Sequence, residues 1–195
     1  MKAGRPRAFD PEAALEAALQ VFWRKGYEGA TLPDLTAAMG INRPSLYATF
    51  GSKEALFRRA LDRYAERRAE YVRQALAEPT ARAAVEHFLR GAAGLQTDAA
   101  NPPGCLAVVG ALVGAEAADS VRKELCERRA AVELALRERF EQAQTAGDLP
   151  ADANCADLAR FIATVVQGMS VQAAGGASRA DLERVVDLTL RAWPT

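Results

Sequence analysis

Histidine occurs once and cysteine three times in the 195 residues. A nucleophilic enzyme needs a base beside its nucleophile, and His87 is the sole imidazole on offer. The chain also lacks a strand-turn-helix elbow and a glycine-rich phosphate loop, so the sequence argues against an enzyme. Cys105, Cys126 and Cys155 form no CxxC pair, and neither they nor His87 meet at ligand spacing on one helical turn. Buried free thiols are therefore the favoured reading, with no metal and no cofactor expected, while a thiol or metal sensor stays open as an alternative. The stretch MKAGRPRAFD has no apolar signal core, which points to a reducing cytoplasm. No apolar run is long enough to span a bilayer, so a membrane is not an expected partner. Net charge is zero, which argues against a simple nucleic-acid-coating protein. Internal repeats and low-complexity tracts are absent too.

What is present is helical punctuation. Half of the composition is apolar, enough for a full core, and the apolar residues recur at helical spacing throughout. Asp10-Pro11-Glu12 opens a helix whose Leu15, Leu19, Phe22 and Trp23 share one face and which ends near Gly26. Thr31 caps a second helix with Asp34 three residues on, and Leu35, Ala38 and Met39 supply its buried face. Gly40 makes the turn into a third. The small Ala37 and Ala38 suit a tight crossing. Residues 31–50 thus read as a helix-turn-helix.

The segment Ile41–Lys53 carries the functional signal. Asn42 caps the third helix, Pro44 fits its first turn, and Leu46 and Phe50 form one apolar stripe. Arg43, Ser45, Tyr47 and Thr49 point elsewhere with donors, acceptors and a phenol, a set suited to base edges and phosphates in a major groove. Gly51 ends the helix, and Ser52 caps the next with Lys53 at its first position, where an ammonium and free N–H groups converge as a phosphate would need. Ahead of this unit, residues 1–9 hold three basic side chains and no acid. Arg5 and Arg7 in that arm are placed to reach an adjacent minor groove or phosphate.

These residues resemble the N-terminal domain of TetR/AcrR-type transcriptional regulators across positions 5–61 without a gap. The resemblance rests on FxxxGYxxxT (Phe22, Gly26, Tyr27, Thr31), on LxxxMGI (Leu35 to Ile41) and on SLYxxFxSKExLF (Ser45 to Phe57). It implies an all-α homodimer with an N-terminal three-helix DNA-binding domain, residues 1–51, and a C-terminal effector-binding and dimerisation domain, residues 52–195. It further implies that Arg43, Pro44, Ser45, Tyr47 and Thr49 face the major groove of double-stranded operator DNA, and that Thr31, Tyr47 and Lys53 touch phosphates.

Beyond Ser52 a long helix runs to about Ala77, with Leu56, Leu61, Tyr64 and Tyr71 inward and Arg58, Arg59, Glu66, Arg67, Arg68 and Glu70 outward. Further helices are expected near 80–96, 118–146 and 152–173, and after the cap at Ser178. Between them, Asn101-Pro102-Pro103-Gly104 breaks the chain and Cys105–Gly114 is an uncharged run rich in small residues. The resembled family lines a ligand cavity with this region; a central core helix without a cavity fits the residues equally. Tyr64, His87, Phe88, Gln96, Cys105, Val109 and Gln167 are the candidate contacts to an apolar or aromatic small molecule. In the family the last two helices pair with their copies in a four-helix bundle. Leu158, Ile162, Val165, Met169, Leu182, Val186 and Trp193 are the candidate dimer residues, although their stripes suit an intramolecular core nearly as well. The function expected is a repressor released from a palindromic operator by its ligand. The alternatives are a cysteine-based redox or metal-responsive regulator on the same scaffold and a helical small-molecule-binding protein.

Overall fold

Helix starts marked in the sequence by small polar residues are starts in the structure. Asp10, Thr31, Asn42, Ser52, Thr80 and Ser178 each accept from a backbone N–H two or three positions on, inside the helix they precede. Asn154 does the same, accepting from the Ala156 and Asp157 N–H groups. The computed structural model describes residues 9–108 and 119–194, and all its regular elements there are helices. In chain order they are α1 (Pro11–Gly29), α2 (Leu32–Met39), α3 (Arg43–Phe50), α4 (Lys53–Leu76), α5 (Ala81–Gln96), α6 (Asp119–Thr145), α7 (Cys155–Ala174) and α8 (Arg179–Arg191). The expected all-α class stands. Arg5, Arg7, Val109 and most of the uncharged Cys105–Gly114 run lie outside the described residues.

Two apolar clusters organise the chain, and α4 belongs to both. Phe22, Trp23, Leu35, Leu46 and Phe50 are buried with Leu56, Phe57, Leu61 and Tyr64 from the first half of α4. The second half contributes Ala75, with Tyr71, Val72 and Leu76 packed alongside, to a cluster built by Phe88, Phe140, Ile162 and Trp193. A division after residue 51 would therefore leave part of the first core in the second unit. Among the helix pairs, α1 lies against α4, α5 against both α4 and α8, and α6 against α7. Arg139 of α6 donates to the carbonyls of Leu76 at 3.0 Å and Glu78 at 2.8 Å, satisfying acceptors that the end of α4 leaves open.

Of the six glycines with positive φ among the described residues, two shape the path through α1 and α2. Gly40 has φ 65° at the left-handed end of α2, where a Cβ would be strained, and this makes the turn into α3. Gly26, at φ 68°, breaks the helical path inside α1. The break lets Tyr27 come down on Phe22 and Phe57, with ring centroids 6.4 Å and 5.1 Å away. One expectation fails here: Ala37 and Ala38 are exposed, so α2 is anchored by Leu35 and Met39, with Leu32 partly buried beside them, and the alanines make no crossing.

Candidate nucleic-acid interface and ligand cavity

Helix α3 is only eight residues long and is held by what lies beneath it. Leu46 and Phe50 are buried, contributing roughly 1.5–3 kcal/mol each. Their spacing turns Arg43, Pro44 and Tyr47 to solvent, with Tyr47 46% exposed, and leaves Ser45 and Thr49 half-buried at the flanks. Asn42 fixes the helix start by accepting from the Ser45 N–H at 2.9 Å. No acidic residue occurs in α3. An exposed tyrosine beside an arginine, on a helix with no carboxylate, is a surface that meets anions readily.

Lys53 stands at the first position of α4, and its ammonium lies 4.4 Å from the centre of the Tyr27 ring. Partial burial lowers the pKa of Lys53, with Glu28 opposing that effect. The cation–π contact aims the charge rather than leaving it on a free stem. Thr31 is less available than expected. Its hydroxyl donates to Asp34 at 2.7 Å and its N–H donates to the same carboxylate at 3.1 Å, so the capping box uses both donors. Lys25 completes that cluster at 2.7 Å from Asp34. The hydrogen bonds from Lys25 and then Thr31 hold the Asp34 carboxyl down at about 2.

Farther along α4 a cavity of about 640 Å³ opens between α4, α5, α6 and α7. That size suits a small organic ligand. Of the candidate ligand contacts, Tyr64, Phe88, Gln96, Cys105 and Gln167 line it. His87 does not: its Nδ1 lies 2.8 Å from Glu78 Oε1, and the ring turns away from the cavity on the neighbouring face of α5. Arg68, expected on the outward charged face of α4, lines the cavity instead. It continues the Leu61, Tyr64, Tyr71 series at three- and four-residue steps, the one signal that could have placed it. Its guanidinium sits 4.2 Å from the Tyr64 ring centre and 5.6 Å from that of Trp23. Burial raises the pKa of Tyr64 well above the usual phenol range. The Tyr64 hydroxyl accepts from the Leu106 N–H at 3.2 Å, and Ser170 Oγ accepts from the Cys105 N–H at 2.7 Å. These bonds fix one wall.

The cysteines differ from one another, contrary to the expectation of common burial. Cys155 is buried, Cys105 half-buried and Cys126 exposed. No cluster of three or more metal-ligating side chains occurs among the described residues.

The candidate dimer residues need correction. Ile162, Met169, Leu182, Val186 and Trp193 are all at most 5% exposed within the protomer, so they are core rather than interface. Leu158 and Val165 are half-buried against that core. One residue round the helix, Phe161 and Val171 on α7 and Val185 and Leu188 on α8 remain exposed. Gly168 shares the α7 face, and nothing in the protomer lies within 4 Å of where its Cβ would be. Its lack of a side chain is unexplained by internal packing.

The whole chain has curated and structural relatives. The HTH-type transcriptional repressor ComR of Escherichia coli is 36% identical over 193 residues, which is 98% of this chain and 92% of that one. The chain belongs to the TetR family. The family model for bacterial regulatory proteins, tetR family, matches residues 14–60 of this TetR-family protein, from α1 into α4. The repressor BdcR of Escherichia coli is 51% identical over 61 residues, 31% of each chain. Among solved structures, a triple cysteine mutant of the TetR family transcriptional regulator CifR, complexed with 26-base-pair double-strand operator DNA, is 46% identical. It superposes with a TM-score of 0.94 over 98% of this chain and 100% of its own. TetR-family proteins are transcription regulators, not enzymes. No helix among the described residues of this one is long and apolar enough to cross a membrane.

Proposed function

We propose that this protein is a cytoplasmic transcriptional repressor that binds a palindromic operator as a homodimer and lets go when a small apolar or aromatic molecule fills the cavity. The observation that carries the reading is the continuity of α4. One helix starts with Lys53 at the exposed face of α3 and reaches Arg68 at the cavity about 22 Å later, at 1.5 Å per residue. A tilt of α4 imposed at one end is a displacement of α3 at the other. Arg43, Pro44, Ser45, Tyr47 and Thr49 then read the groove, Lys53 and Tyr47 hold phosphates, and Arg5 and Arg7 reach the flanking backbone or minor groove. The exposed Phe161, Val171, Val185 and Leu188, with Gly168 allowing close approach, form the dimer seam.

A substitution that fills the cavity mimics the ligand. Ala163 is 3% exposed and lines the cavity, so Ala163→Phe places a ring in it. Operator affinity should fall about 5–150-fold while helical content is kept, because a coupling of 1–3 kcal/mol has that effect. Unchanged operator affinity in a folded, cavity-filled variant would remove the proposed switch. A thiol-based response has one observation in its favour: Cys105 lines the cavity. If thiol alkylation leaves the operator affinity of the wild-type protein unchanged, that second reading is excluded.

A further inference from the structure

The cavity has a charge asymmetry that a neutral apolar ligand would not use. Arg68, Arg73, Arg128 and Arg129 line it, and among the described residues no aspartate or glutamate does. Two of the four are neutralised from outside. Arg128 lies 2.5 Å from Asp62 and 2.7 Å from Glu124, and Arg73 is paired with Glu70. Arg129 spends donors on the Ala107 carbonyl at 2.6 Å and on Cys126 Sγ at 3.2 Å. Arg68 has no carboxylate partner among the described residues. It lies over the rings of Tyr64 and Trp23.

A second observation points the same way, toward a ligand with polar groups. Gln96 is 2% exposed and lines the cavity. Its Nε2 donates to the Val166 carbonyl at 3.3 Å, but Oε1 is buried with no hydrogen-bond partner. A buried acceptor without a donor is unfavourable until something supplies one. The remaining walls, formed by Leu61, Val72, Leu76, Phe88 and Val166, are apolar.

We propose that the effector is an organic carboxylate. Its apolar or aromatic body fills the cavity, its carboxylate takes the fork of Arg68, and a hydroxyl or N–H on the body donates to Gln96 Oε1. The guanidinium fork matches a carboxylate in two parallel hydrogen bonds, which a point charge would not do. This rests on the cavity being the effector site and adds the chemistry of its occupant. It also supplies a route to the DNA-binding end. Trp23 belongs to α1 and meets Tyr64 edge-on at 4.8 Å, so an anion that draws Arg68 off these rings alters a contact between α4 and α1.

The test uses matched probes on the full-length protein: decanoate, decanol and decylamine, and 4-phenylbutyrate with 4-phenylbutanol. Affinities come from calorimetry, and operator release from anisotropy of a labelled duplex. Each acid should bind at least about tenfold more tightly than its alcohol, since a charge-assisted hydrogen bond exceeds a neutral one by that much. The amine should be weakest. Arg68→Met should bring the acid-to-alcohol ratio to near one, with the alcohol serving as the internal check that the cavity is intact. Equal affinities for acid and alcohol in wild type, tightest binding by the amine, or no binding of either acid at millimolar concentration would overturn the anion assignment. Tight acid binding that leaves operator affinity unchanged would instead uphold the site and sink the effector reading.

Discussion

Replacing Lys53 by Met separates the proposed phosphate contact from the packing around the side chain. The methionine can keep the apolar contact with Tyr27 that the lysine stem makes, so the loss is the ammonium 4.4 Å from that ring. A partly exposed cation–π contact of this kind is worth about 0.5–1 kcal/mol, and the fold should survive. In a dimer the substitution removes one phosphate contact from each half-site. The slope of log affinity against log salt is about −0.9 per phosphate neutralised, so it should become shallower by about 1.8. Between 50 and 200 mM salt the variant should then lose roughly 12-fold less affinity than wild type. Anisotropy titrations of a labelled operator across that range give both slopes. A Lys53→Met slope equal to that of wild type would show that this ammonium neutralises no phosphate, and the docking of α3 built on it would fail.

Arg43→Ala should behave differently, leaving the salt slope closer to wild type but relaxing preference at one base pair per half-site at a cost of roughly 1–3 kcal/mol; operators varied one position at a time would show it. Leu188, 60% exposed, should tolerate Arg in the monomer, but in a dimer seam the charge is buried unpaired at roughly 3–5 kcal/mol. Sedimentation should find Leu188→Arg monomeric with its unfolding temperature close to that of the fold itself, whereas Leu182→Arg, at a core position, should unfold; a dimeric Leu188→Arg would misplace the seam. Asp34 has a folded pKa of about 2, below its ordinary value of 3.8. Its stabilising effect is therefore complete above the unfolded value and is lost as pH falls toward 2. The stability gap between wild type and Asp34→Asn should be constant at neutral pH and close in that acid window; a gap that is independent of pH down to 2 would contradict the Lys25 and Thr31 contacts.

Local signals made the DNA-binding end legible. A cap such as Asn42 or Thr31 acts on an N–H two or three positions away, so its effect is written within a few residues. The Leu46 and Phe50 stripe likewise fixes which side of α3 is left for Arg43 and Tyr47. What the sequence did not resolve depends on contacts between distant elements. On α7, Ile162 and Met169 face the protomer core while Phe161 and Val171 face out, and with apolar residues on both sides nothing local says which stripe a partner covers. His87 and Phe88 are adjacent on α5, yet only Phe88 enters the cavity, because Glu78 holds the histidine on the other side. Arg68 resembles its charged neighbours in sequence; its four-residue spacing from Tyr64 is local, but only the approach of α1 brings Trp23 beside it.

Selection of bound duplexes from a random pool by the full-length protein tests the central claim most directly, because it needs neither a known ligand nor a known operator. The account predicts enrichment of an inverted repeat. Its half-sites should be spaced so that two α3 helices, related by the dimer axis, enter major grooves about one helical turn of 34–36 Å apart or a multiple of it. Enrichment of a site without two-fold symmetry, or no enrichment at all, would contradict it.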